Sequence, residues 1–131
     1  MIVDALDLTA YNGEENRIDG LVNDILIQRT SEKMMEAILT LLTDTVAAVP
    51  QVGAYYTFGY QAKTPRMRYD GNPLIACTGV YNWGFSGINY HWGDFRNYTF
   101  EELTTNPYLV YPSELEDLRS IPYQDFKINR S

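Results

Sequence analysis

At 131 residues the chain has the size of one domain with short extensions, and 45% hydrophobic with 21% charged residues exclude a disordered polymer. A net charge of −7 argues against general nucleic-acid binding, which needs lysine and arginine to displace counterions from phosphate. The single cysteine, Cys77, excludes an intrachain disulfide and any zinc site built from several cysteines.

Charge and aromatics are unevenly divided. Residues 1–50 hold nine acids, three bases and one aromatic, whereas residues 51–131 hold eight acids, seven bases and seventeen aromatics. An acidic, aliphatic half therefore precedes a near-neutral half rich in tyrosine. No apolar run approaches the roughly 20 residues that cross a bilayer, and the acidic start MIVDALDLTAYNGEEN lacks the basic stretch of a signal peptide. A reducing cytoplasm or the inside of an assembled particle is the expected location.

Residues 1–16 carry no sustained period and contain the Asn12-Gly13 turn signal, which reads as an N-terminal arm. Residues 17–49 form a helical region. Ile18, Leu21, Val22, Ile25 and Leu26 recur at spacings of three and four and predict a short helix to Gln28, weakened by Gly20. Thr30-Ser31-Glu32 is a second helix start, and the apolar set from Met34 through Ile38, Leu41 and Leu42 extends that helix to Ala48, before Pro50. Its apolar stripe is broad. Met34 and Leu41 pack either against the chain's own β domain or against another subunit.

Past Pro50 the period falls to two, and residues 50–104 read as a small β domain. Gly53 to Gln61 predicts an aromatic strand, with Tyr56, Phe58 and Tyr60 on one side. Lys63, Arg66 and Arg68 form the one basic cluster, on a loop marked by Pro65 and Asp70-Gly71; it is a solvated loop or a contact for an acidic surface or a phosphate. Leu74–Tyr81 reads as a buried strand, Asn82–Phe85 as a hairpin turn and Ser86–Trp92 as the returning strand. Glycines 79, 84 and 87 suggest a bent or bulged hairpin, as in an SH3-like β-barrel or a rolled antiparallel sheet. The fold class is α+β. Thr99–Leu103 and Ser113–Leu118 read as capped turns and Tyr108–Tyr111 as a short strand, within an extended, surface-wrapping C-terminal segment, 105–131.

Catalytic chemistry finds little support. His91 is the only histidine and is read as structural; Cys77 is read as packed, and no third metal ligand accompanies His91 and Asp94 at a known spacing. Glu101 and Glu102 are adjacent on a helical turn and do not face each other as a glycosidase pair must. No phosphate-cradling glycine loop, GxGxxG or GxSxG occurs. No cofactor, metal or small-molecule substrate is expected. Trp83, Phe85, Tyr90, Trp92, Phe95, Tyr98 and Phe100 are core, a sugar- or peptide-binding platform, or a protein interface.

The order GAYYTFGY (53–60), YDGNPLI (69–75) and GFSGINYHW (84–92) resembles a pattern in proteins of tailed bacteriophages, particularly large contractile-tailed ones: an aromatic strand, a YD-x-x-PL turn and a GFxGxN-x-H segment. The match spans residues 53–92, about a third of the chain, and departs at Trp92, where the pattern has leucine. The resemblance implies a non-enzymatic structural or assembly protein of the virion, made in the bacterial cytoplasm and placed in the tail or baseplate. Its partners would be other virion proteins in a multi-copy symmetric assembly, with no membrane or nucleic acid. The residues expected at that interface are Met34, Leu41, Lys63, Arg66, Arg68, Trp83, Trp92, Tyr108, Tyr111, Tyr123 and Phe126. A free SH3-like module for a peptide or cell-wall polymer is the alternative, and a hydrolase the third reading.

Overall fold

A computed structural model describes residues 15–63 and 69–123. Among them lie helices α1 (Val22–Leu26), α2 (Ser31–Leu41) and α3 (Leu115–Ser120), and strands β1 (Tyr55–Thr57), β2 (Leu74–Val80), β3 (Gly84–Asn89), β4 (Phe95–Thr99) and β5 (Tyr108–Val110). The chain is α+β, with one antiparallel sheet in the order β4-β3-β2-β1-β5. The sheet is open: β4 and β5 are its two outer strands, and an isolated Tyr60–Leu103 bridge joins the segments that follow β1 and β4.

Both N-terminal helices are shorter than their periods predict. Gly20 takes a left-handed φ of 83°, and the Asn16 side chain accepts from the Ile18 and Asp19 amides, so the chain turns before α1 instead of coiling from Ile18. Helix α2 starts as expected, the Thr30 hydroxyl accepting from Lys33 N at 3.1 Å, with Glu32 in the first turn. It stops at Leu41 and not at Ala48. Thr43 turns its hydroxyl back onto Leu39 O, while Val46 bridges Tyr108 and Ala47 N donates to Pro107 O. Sheet pairing has taken the residues that periodicity assigned to the helix.

The central hairpin forms with a tight turn, Tyr81 and Gly84 bonding across Asn82-Trp83. A side chain on Gly84 would meet Tyr98 O at 2.0 Å, so only glycine lets β3 and β4 approach here. The expected bulge lies in β2, where the register with β3 shifts between Cys77 and Gly79. Strand β3 ends at Asn89, earlier than Trp92, because the Asn89 side-chain Oδ1 accepts from the His91 and Trp92 amides and turns the chain.

Register divides the sheet into two faces. Tyr56, Ile75, Cys77, Phe85, Tyr98 and Leu109 point to one, and with Phe58 and Tyr60 they form an aromatic core in which Tyr60 meets Tyr98, and Phe58 meets both Tyr98 and Phe85, edge-on at 4.9 to 5.4 Å. On the other face Leu74 and Val110 are covered by a second core of Ile18, Ile25, Met35, Ile38, Leu42, Leu115 and Leu118. The helices thus lie over the β5-β1-β2 half of the sheet.

From 105 to 123 the expected short strand and capped turn form, but packed into the fold and not wrapping its surface. These residues supply the outer strand β5, the turn Pro112–Glu114 and α3, because Leu109, Val110, Leu115, Leu118 and Ile121 have apolar partners in the two cores. The chain ends are joined by a buried ion pair. Glu114, 0% exposed, accepts from Arg17 N, Nε and Nη2 and from Tyr111 N at 2.7 to 2.9 Å. Arg17 also donates to Asp44, to the Thr45 hydroxyl and to Leu109 O, and lies 3.9 Å from the centre of the Tyr111 ring.

Removing one partner of such a pair strands the other charge in the interior. Arg17→Ala should lower unfolding stability in urea by about 3–5 kcal/mol. The volume-matched double variant Arg17→Met/Glu114→Leu should recover much of that loss.

Candidate functional site

The helical layer leaves half of its sheet face bare. On β3 and β4 the residues facing that side are Gly84, Ser86 and Ile88, paired with Thr99, Asn97 and Phe95. Ile88 is 41% and Phe95 62% exposed, an adjacent cross-strand pair of large apolar side chains open to solvent. At the hairpin end Tyr81 (47% exposed) and Trp83 (43%) stack with ring centres 4.9 Å apart and planes 7° from parallel. The stack is held in place. A Cβ on Gly79 would fall 2.3 Å from the Tyr81 hydroxyl, so Tyr81 lies over the bare backbone at 79, beside Ser86 Oγ, which is itself hydrogen-bonded to Thr78 Oγ1. The strip running Trp83, Tyr81, Asn97, Ile88, Phe95 is therefore aromatic at one end, polar in the middle and apolar at the other.

Few of the residues expected at an interface lie on this strip. Trp83 is on it. Trp92 is half-buried just past β3, with the Arg96 guanidinium 5.2 Å from its ring centre. Lys63 is exposed, 3.9 Å from Glu102. Met34 and Leu41 are half-buried against the helical core, and Tyr108 is half-buried on β5 beneath the same layer. Tyr111 and Tyr123 are buried, so they are core residues and not surface anchors: Tyr111 lies under Arg17, and Tyr123 packs edge-on to Tyr69. Arg66, Arg68, Phe126 and residues 1–14 of the N-terminal arm lie outside the described residues. Of the platform candidates, Phe85 and Tyr98 are fully buried and Phe95 is exposed. Tyr81 and Ile88 were not singled out, because a strand residue's face is decided by which half of the sheet the helices cover.

The titratable groups near the strip are engaged in the fold. Asp70, 1% exposed, pairs with Arg96 and so ties the turn at residues 69–73 to β4. Hydroxyls of Thr99 and Tyr60 donate to Glu102 and hold its pKa below the ordinary carboxylate value. Burial pushes the Cys77 thiol upward, away from a thiolate. Among the described residues no group of three or more His, Cys, Asp or Glu could hold a metal ion.

His91 stacks flat on Tyr69, 3.5 Å between ring centres and 4° from parallel, and meets Tyr123 edge-on. Tyr69 holds a left-handed φ of 68° and donates its hydroxyl to Ile121 O. Neither ring nitrogen of His91 makes a hydrogen bond of good geometry. Burial, reinforced by the positive charge of Arg119, lowers its pKa to about 4. The cluster clamps the end of α3 onto the β2 and β3 loops.

No protein-family model matches the chain, and neither a curated protein nor a solved structure shows significant similarity to it.

His91 gives the surface an acid-sensitive neighbour. Its folded pKa lies below the free value near 6.5, so the unfolded chain binds the proton more readily. Stability from neutral His91 is complete above about pH 6.5 and is lost as pH falls toward 4, on the order of 1–2 kcal/mol after allowance for partial exposure. Thermal melts from pH 7 to 4 should show this decline, and His91→Phe, which keeps the stack, should flatten it.

Proposed function

We propose that this chain is a non-enzymatic structural or assembly protein of a tailed-phage particle, in the tail or baseplate, holding neighbouring subunits through its arms and its aromatic surface. The observation that carries the reading is the bare strip of Trp83, Tyr81, Ile88 and Phe95 beside an open sheet edge. An apolar strip of this kind loses free energy when covered, at about 25 cal/mol per Å² of apolar area, and a particle supplies covering neighbours in repeated copies. The YD-x-x-PL and GFxGxN segments support the phage assignment and lie at the heart of this sheet, in the turn into β2 and along β3. The protein is then made in the bacterial cytoplasm and resides in the virion.

The second reading, an SH3-like binding module for a peptide or cell-wall polymer, draws on the strand order β5-β1-β2-β3-β4 and on the 3-10 turn Phe100–Glu102 between β4 and β5. Phe100 N donates to Trp83 O, which sets that turn against the exposed stack. A ligand there would shield Trp83.

Mass spectrometry of purified phage particles is the test of the assembly reading. The chain should co-purify at a fixed ratio to the tail proteins; its presence in the lysate and absence from intact particles overturns the reading. Titrating the isolated protein with proline-rich peptides and soluble peptidoglycan fragments should leave its tryptophan fluorescence unchanged. Saturable quenching, lost in Trp83→Ala, selects the binding module instead.

A further inference from the structure

We infer that strand β4 is the docking edge for a second copy of this chain, the two β4 strands pairing antiparallel across a two-fold axis at Asn97. The inference deepens the assembly reading by naming the neighbour, and it rests on that reading only for its place in a particle.

Strand β4 is terminal in the sheet, and among the described residues nothing pairs with its outer edge. Its inner ladder shows which groups are left over. Asn89 N donates to Asp94 O and Phe100 N to Trp83 O, so the even-numbered residues turn their amides and carbonyls toward β3. By alternation Phe95, Asn97 and Thr99 direct theirs outward. The opposite edge differs, since Val46 and Ala47 already pair with Tyr108 and Pro107 beside β5.

Edges left open in monomers are usually blunted by lysine, proline, a bulge or an inward-pointing charge. Strand β4 reads FRNYT, has no proline or lysine, and keeps an unshifted register with β3 throughout. Its one charge, Arg96, is neutralised by the buried Asp70. Centring the axis on Asn97, the middle residue of the strand, sets Phe95 opposite the partner's Thr99 and Asn97 opposite the partner's Asn97. These are the three residues with outward backbone groups, so the register closes with about six hydrogen bonds. No like charges meet, because Arg96 falls opposite the partner's Tyr98, and the two exposed Ile88–Phe95 pairs lie on one continuous face. Such a contact is isologous and closes at two copies. The chain's own −7 charge opposes the approach of a second copy, so association should strengthen with salt.

Sedimentation velocity and cysteine cross-linking of the full chain test this. The protein should sediment as a concentration-dependent dimer, favoured at 0.5 M over 0.05 M salt. Asn97→Pro, which removes an outward amide, should shift the dimer–monomer midpoint at least tenfold toward monomer. Asn97→Cys should oxidise to a covalent dimer, since facing hydrogen-bonded residues lie about 5.5 Å apart, within disulfide reach. Thr99→Cys should not, and the buried Cys77 supplies no competing thiol. A monomer at all concentrations, or a dimer in which neither Asn97 variant has an effect, overturns the inference. If Asn97→Pro unfolds, Asn97→Cys decides alone. A monomer that still co-purifies with particles sinks the two-fold and keeps the assembly reading; a β4 dimer absent from particles does the reverse.

Discussion

A carboxylate with no solvent exposure persists only where donors surround it, and Glu114 meets that condition through the Arg17 guanidinium and two backbone amides, those of Arg17 and Tyr111. Arg17 reaches it from ninety-seven positions away in the chain and, on the way, fixes Asp44, Thr45 and Leu109 O. Four segments that share no local signal are therefore located by a single guanidinium. Its planar, many-donor geometry is what permits this; a lysine would satisfy one partner at a time.

The position of that knot decides the shape of the surface. It gathers the helical layer at the β5 end of the sheet, where Ile38, Leu42, Leu115 and Leu118 close over Val110 and Leu74. The three short helices among the described residues do not extend over β3 and β4, and Ile88 and Phe95 stay exposed on the same face that is buried two strands away. The exposed strip follows from where a limited amount of helix is anchored.

Buried polar groups elsewhere serve the same economy. Asp70 and Arg96 fasten the turn before β2 to the outer strand, and His91, flat against Tyr69, holds the end of α3. Each commits a titratable group to joining segments. What remains accessible on β3, β4 and their hairpin is aromatic and aliphatic surface beside open backbone.

Much was legible from residue order alone. The capped start of α2, the hairpin around Asn82-Trp83, the bulge near Gly79 and the aromatic face of Tyr56, Phe58 and Tyr60 all follow from local stereochemistry or a period of two, which act over a few residues. Strand β4 was not legible, because its inward positions are Arg96 and Tyr98 and the charge that hides the alternation is paid for by Asp70, a distant residue. The stop of α2 at Leu41, the recruitment of 105–123 into sheet and helix, and the burial of Tyr111 and Tyr123 were likewise settled by partners far away in sequence. The sequence by itself determined the α+β class and the local starts, turns and periods of many of its elements, because those act over a few residues. Only the tertiary structure decided which half of the sheet the helices cover, and therefore which side chains face solvent, because burial depends on the summed contacts of the whole chain and not on any local pattern.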